Sequence, residues 1–210
     1  MAKIIATELA ASTGKRFFSD GGVRWLPADL LAVDAVLKPL TSQCPTDEDR
    51  QYVFVGNVPG WLAVAVIHRL IRQGVALDED PQWGAVSIPK LRPTGTGSNH
   101  LTWTVNQDAV GFTLVEFSIP TGTIDLISLS AVVLPAIRQD RGVLLKGEGP
   151  NWLLASLALG YHDTPWLATF QPASLLHAAQ YVVCMTHTND VLLGTTILEA
   201  DVRSTLRTGK

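Results

Sequence analysis

Two hydrophobic rhythms take turns along this chain. Short β-branched or aromatic runs, such as YVFV (52–55), GVLLK (142–146) and YVVCM (181–185), read as buried strands. Between them, apolar residues recur at helical spacing. Leu30, Leu31, Val33, Val36 and Leu37 follow Pro27 and Asp29, which suit a helix start. Leu62, Ala65, Val66, Arg69 and Leu70 predict a helix over 61–72, with Gly74 as its stop. Residues 125–134 and 151–159 predict two more. Further strands are expected over 3–9, as an edge, and over 83–88 and 166–170. Residues 101–105 and 112–119 read as a hairpin, because their side chains alternate in direction. The pattern predicts an α/β layer architecture.

The rhythm also repeats. VFVGNVPGWL (53–62) and LLKGEGPNWL (144–153) share Gly56/Gly147, Pro59/Pro150, Trp61/Trp152 and Leu62/Leu153 at one offset. Trp83, Ala85 and Pro89 also recur in spacing as Trp166, Ala168 and Pro172. A unit of roughly 100 residues is too long for a solenoid repeat. The expectation is therefore two fused copies of one small domain, a covalent pseudo-dimer, over residues 1–95 and 99–210. The stretch RPTGTGSN (92–99) reads as the linker. The acidic LDEDPQ (77–82) reads as a solvated insert present in copy one only. A pseudo-twofold interface is the first place to look for a ligand.

Composition narrows this picture. The chain has 210 residues, 47% hydrophobic and 17% charged, as expected of a globular protein with a real core. Its net charge of −3 offers no broad basic surface for duplex nucleic acid. Lone Cys44 and Cys184 suggest buried thiols in a reducing compartment. No apolar run is long enough for a membrane span, so a cytoplasmic protein without a membrane partner is expected.

Two loops could carry chemistry. Gly147-Glu148-Gly149-Pro150-Asn151 joins a strand to a helix, and a helix N-terminus favours a phosphate or other anion. It lacks the phosphate-loop and dinucleotide fingerprints, and a bare βα turn explains it equally well. Copy one offers Gly56, Asn57 and Gly60 in the matching turn. The second loop is Tyr161-His162-Asp163-Thr164-Pro165, where a histidine near neutral pKa could take or return a proton. A helix-end histidine held by the dipole is the plainer reading. His187 ends the next strand. His68, His100 and His177 show no metal-binding spacing, so no metal ligand is assigned.

Residues 112–119, 142–153, 161–170 and 182–187, in that order, resemble the small CRISPR-associated ring nuclease family of type III systems. The likeness rests on the Gly-x-Gly-Pro-x-Trp-Leu turn and the Tyr-His-x-Thr-Pro loop, and covers nearly all of copy two. It implies two Rossmann-like sensor-type domains binding cyclic tetra-adenylate at a dimeric interface, and manganese-assisted phosphodiester cleavage that switches antiviral signalling off. Carried over, His162 is the catalytic histidine, and Gly147, Glu148, Gly149, Pro150, Asn151, Thr164 and His187 contact the ligand. Glu148 replaces the basic residue usual in that turn. Where the family has Asp-Pro-Arg-Leu, copy two reads Gln171-Pro172-Ala173-Ser174, and copy one keeps only a cation, Lys90. The position matching His162 in copy one is Ile71 or Glu79, depending on where the insert is placed. A composite site of His162 and Lys90 is thus expected. Without the carboxylate, a metal-independent reaction is also reasonable. A binding-only sensor or sponge is the alternative, and pseudo-dimers could pair further into a homo-dimer.

Overall fold

The computed structural model describes residues 2–15, 17–18, 22–42, 52–70, 75–80, 84–89, 91, 100–175 and 177–208. Lys90, Cys44, Ile71, Gly74 and the 92–99 stretch lie outside them. The fold is α/β, as the alternation of rhythms predicts.

In the first half, β1 (Ala2–Ile5), β2 (Tyr52–Val55), β3 (Val75–Asp80) and β4 (Gly84–Ser87) form one sheet in that order. β1, β2 and β3 run parallel and β4 runs antiparallel to β3. In the second half, β6 (Phe112–Ser118), β7 (Gly142–Lys146), β8 (Trp166–Gln171) and β9 (Gln180–Thr186) repeat the scheme: three parallel strands, then one antiparallel. β5 (Thr102–Asn106) and β10 (Thr196–Leu198) extend this second sheet at its edges.

This topology corrects two expectations. Ala85 sits on the antiparallel β4, opposite Asp78, whereas Ala168 sits on β8, parallel to Leu144 of β7. Ala85 and Ala168 therefore belong to different places in their sheets, and Trp83 lies outside the described residues. The strand of the first half that holds the place of β8 is β3. Its residues 77–80 are the supposed solvated insert, and their backbone is paired to β2 and β4.

The helices are α1 (Ala6–Ser12), α2 (Leu30–Ser42), α3 (Gly60–Leu70), α4 (Leu126–Leu129), α5 (Asn151–Gly160) and α6 (Glu199–Thr208). The expected edge strand over 3–9 ends at Ile5, because the alanine-rich stretch that follows favours helix. The helix expected over 125–134 lasts one turn. Asp125 caps it, accepting from the Ser128 N–H at 2.7 Å. The β-branched Val132 and Val133, and Pro135 beyond them, favour the extended path that follows.

α3 and α5 pack against each other in the middle of the molecule, and α3 also lies on β8 and β9. Trp61 and Trp152, both 1% exposed, belong to one apolar cluster that spans both halves. That explains why the repeat motif keeps its tryptophans and leucines: they form the seam. α6 covers the far face of the second sheet with Val202 and Leu206. Its first residue, Glu199, accepts from Lys146 Nζ at 2.7 Å and from Arg203 at 2.6 Å. Those cations hold the Glu199 carboxyl below its ordinary pKa.

Candidate functional site at two opposite edges

The repeated turns start from the same local chemistry. Pro59 and Pro150 precede α3 and α5, and their carbonyls accept the first helical N–H bonds. Leu62 and Ala63 bond to Pro59 at 2.9 and 3.2 Å, and Leu153 and Leu154 to Pro150 at 3.0 and 3.2 Å. Pro150 is the residue before the helix, at φ −64° and ψ 151°. Gly56 has φ 130°, where a side chain is strained, and an added Cβ would lie 2.7 Å from Ala6 Cβ. At Gly147, a Cβ would collide with the Phe117 ring. Both glycines thus have packing roles that need no ligand.

The two turns touch. Asn151 Nδ2 donates to the Val58 carbonyl at 3.0 Å, and Gly60 leaves room for Asn151 and Leu154. Asn57, Glu148 and Gly149 are exposed. A cavity of about 340 Å³ opens beside this turn pair, lined by Ser118, Gly122, Lys146, Gly147 and Glu148. These residues form one edge of the molecule, at the C-terminal ends of the parallel strands, where α/β ligands commonly bind.

The second constellation lies at the opposite edge. α5 carries the chain away from the glycine turn for ten residues, about 15 Å, before reaching Tyr161 and His162. Gln171, at the position where the resembling family has its carboxylate, ends β8 and is likewise separated from His162 by the length of that strand. The sequence had grouped these residues as one site. The fold splits them into a glycine edge and a histidine edge, with the packed α3–α5 layer between.

At the histidine edge, geometry assigns roles. Thr164 is fully buried and its hydroxyl donates to the Tyr161 carbonyl at 2.8 Å. It shapes the loop, and its expected ligand contact is not available on this geometry. His187 holds the loop twice. Its backbone N–H donates to Pro165 at 2.8 Å, and its Nε2 lies 2.7 Å from the His162 carbonyl. A carbonyl only accepts, so that contact requires the proton on Nε2. His162 is 24% exposed at its side chain, and its Nδ1 lies 2.8 Å from Asp163 Oδ1. The alignment of that contact is poor for a hydrogen bond. Such a carboxylate would orient and stabilise an imidazolium.

The first half adds a residue that motif reading passed over. His68, near the end of α3, packs its ring edge-on against His187, with centroids 5.4 Å apart and planes at 63°. Burial, then the charges of His187, His162 and Arg69, push its pKa down to about 4. It is therefore neutral at physiological pH. The only sequence signal was a polar residue on an otherwise apolar helix face. Arg69 Nε lies 3.2 Å from Asp34 Oδ1.

Manganese, implied by the resemblance, favours carboxylate and other hard oxygen ligands. Among the described residues, no three His, Cys, Asp or Glu side chains converge as metal ligands. The donor set around His162 offers one carboxylate, and His187 has its Nε2 engaged. These residues do not fit a manganese site within one chain, and no step is derived through one. Among the described residues, no helix is long and apolar enough to cross a membrane.

Residues 118–198 match the Cas_csx3 family of CRISPR-associated proteins. That stretch is similar to a CRISPR-associated family. It contains the glycine turn, the His162 loop and His187, so both edges of the second half fall inside the Cas_csx3 match.

Proposed function

We propose that this protein is a ring nuclease that binds cyclic tetra-adenylate and cleaves it, ending type III CRISPR antiviral signalling. The supporting observation is His162 within the Cas_csx3-matched stretch, on a loop held at both ends by His187. The like topology of the two halves, joined along α3 and α5, supports the fused pseudo-dimer.

The chemistry demands little of the protein. In an oligoadenylate the ribose 2′-oxygen already neighbours the scissile phosphorus. Holding it in line supplies much of the acceleration. The 2′-oxygen bonds to phosphorus, its proton leaves, and the 5′-oxygen departs with a proton. The products are a 2′,3′-cyclic phosphate and a 5′-hydroxyl. His162 takes or returns the proton, with Asp163 Oδ1 2.8 Å from its Nδ1. Lys90 is retained as the cation expected from the first half, to be tested by substitution.

The separation of the edges sets the assembly. A ring seated on the glycine edge is out of reach of the same chain's His162. Two copies stacked edge to edge would bring the histidine edge of one to the glycine edge of the other. Pairing of pseudo-dimers is therefore part of the proposal. The sensor reading is favoured by one observation: Gln171 stands where the resembling family has its carboxylate, a loss that would impair cleavage more than binding.

The test is incubation with cyclic tri-, tetra- and hexa-adenylate, with EDTA or manganese, resolved by chromatography. Cleavage of the tetramer in EDTA, lost in His162→Ala, supports the proposal. Tight binding without products would replace it with the sensor reading.

A further inference from the structure

The seam between the halves is open on one side and closed on the other. On the open side, α2 and α3 of the first half face the end of β9 across a cavity of about 410 Å³. On the closed side, the corresponding elements are the 126–135 segment, α5 and the chain after β4. There the Leu134 side chain and the Leu91 carbonyl fill the space beside Gly160. Tyr161 seals that side, fully buried, its hydroxyl donating to Pro135 at 3.1 Å. At the 91-residue offset of the repeat, His68 of the open side corresponds to Leu159, which is 3% exposed and part of the core. The open side is thus a feature of this chain's asymmetry, and neither glycine turn contributes to it.

The lining has a definite chemistry. Val33, Leu37 and Leu193 supply apolar surface. His68, Thr186 and Asn189 supply a wall of neutral donors and acceptors. The cation that reaches the cavity, Arg69, is matched by Asp34 at 3.2 Å, so there is little surplus charge for a bare phosphate. Flat, neutral and hydrogen-bonding at one margin is the description of a nucleobase. The volume suits a nucleoside, since small-molecule pockets begin at about 300 Å³.

We infer that this cavity is a nucleoside pocket, with His68 reading the edge of the base and His187 bordering its mouth. The pocket sits beside the His162 loop, so it would hold one adenosine unit of the molecule being cleaved, or of its linear product. The choice of adenosine rests on the ring nuclease reading; the pocket itself rests on the cavity and its walls.

Calorimetric titration with adenosine, ribose 5-phosphate and inorganic phosphate tests it. Adenosine should bind, and the two phosphates should not compete. His68→Leu, which installs the residue of the closed side, should weaken adenosine about fivefold or more, the value of one lost buried hydrogen bond. Ala65→Phe, which fills the cavity, should abolish binding. Adenosine binding that survives both variants, or no binding to the wild-type protein, would overturn the inference. Cyclic tetra-adenylate cleavage measured on the same samples separates the two ideas. Cleavage without adenosine binding removes the pocket alone. Adenosine binding that follows the variants, without cleavage, keeps the pocket and removes the nuclease.

Discussion

The two edges of this molecule are built from like elements of its two halves, yet the halves resemble each other to different degrees there. At the glycine edge the halves share a bond pattern: two prolines accept the same pair of N–H groups, and Asn151, whose counterpart is Gly60, ties one turn to the other. At the histidine edge they do not. The second half presents His162 and His187, while the first presents His68 one helical turn earlier, with Arg69 beside it. Packing accounts for the difference. The glycine turns face each other's backbone and helix starts, so a change in one must be matched in the other. The helix ends face a cavity on one side and a filled seam on the other, and each could change alone.

Four substitutions probe that contrast, beginning with the largest effect. His162→Ala should reduce cleavage of cyclic tetra-adenylate by about 100-fold or more, the usual range for a general acid or base. Its melting temperature should stay close to wild type, since the side chain is partly exposed and lies on a loop. An unchanged rate would remove the histidine edge from the chemistry.

His68 gives the next largest effect, seen in stability against pH. Its folded pKa, about 4, lies below the ordinary 6.5. Below pH 6.5 the unfolded chain gains a proton that the folded one refuses, so stability falls from there to about pH 4 and then levels. The full loss is on the order of 3 kcal/mol, from the pKa difference. His68→Leu should flatten this descent in denaturant titrations at pH 7, 5.5 and 4.5. An unaltered slope would mean that His68 is solvated and charged.

Smaller effects are expected from the hydrogen bonds that hold each edge. Asn151→Ala leaves the Val58 carbonyl without that donor and should cost about 1 to 2 kcal/mol. In the cleavage assay it should raise KM and leave kcat nearly intact, if the turns bind and do not react as proposed. Thr164→Val removes the bond to the Tyr161 carbonyl and should cost about 1 kcal/mol. Its effect should fall on kcat, through the His162 loop. A reversal of these two kinetic patterns would exchange the roles of the edges.

Much of the second half could be read from sequence. GVLLK is a strand and NWLLASLAL a helix because period and glycine boundaries agree there. The Trp-Leu repeat correctly marks the seam. Residues 77–80 misled, because aspartate and glutamate suggest solvent while their pairing to β2 and β4 is set by the sheet. The second Trp motif misled because spacing alone does not say which strand of a sheet it occupies. The split of the site into two edges was hidden for a related reason. Glycines and histidine stand close in sequence, but a helix between them places them at opposite ends. His68 had no motif, and its meeting with His187 is a contact between halves. Lys90, the cation expected to complete the site, lies outside the described residues.

The separation of the edges is the central claim, and mixing two inactive variants tests it most directly. His162→Ala removes the reacting edge, and Gly149→Asp, at an exposed turn position, adds a charge that opposes phosphate at the other. Each alone should be inactive toward cyclic tetra-adenylate. If the ring is held by one copy and cut by another, the mixture should recover a substantial fraction of wild-type cleavage. A mixture as inactive as its components, beside an active wild type, would mean that both edges act within one chain, and would contradict this account.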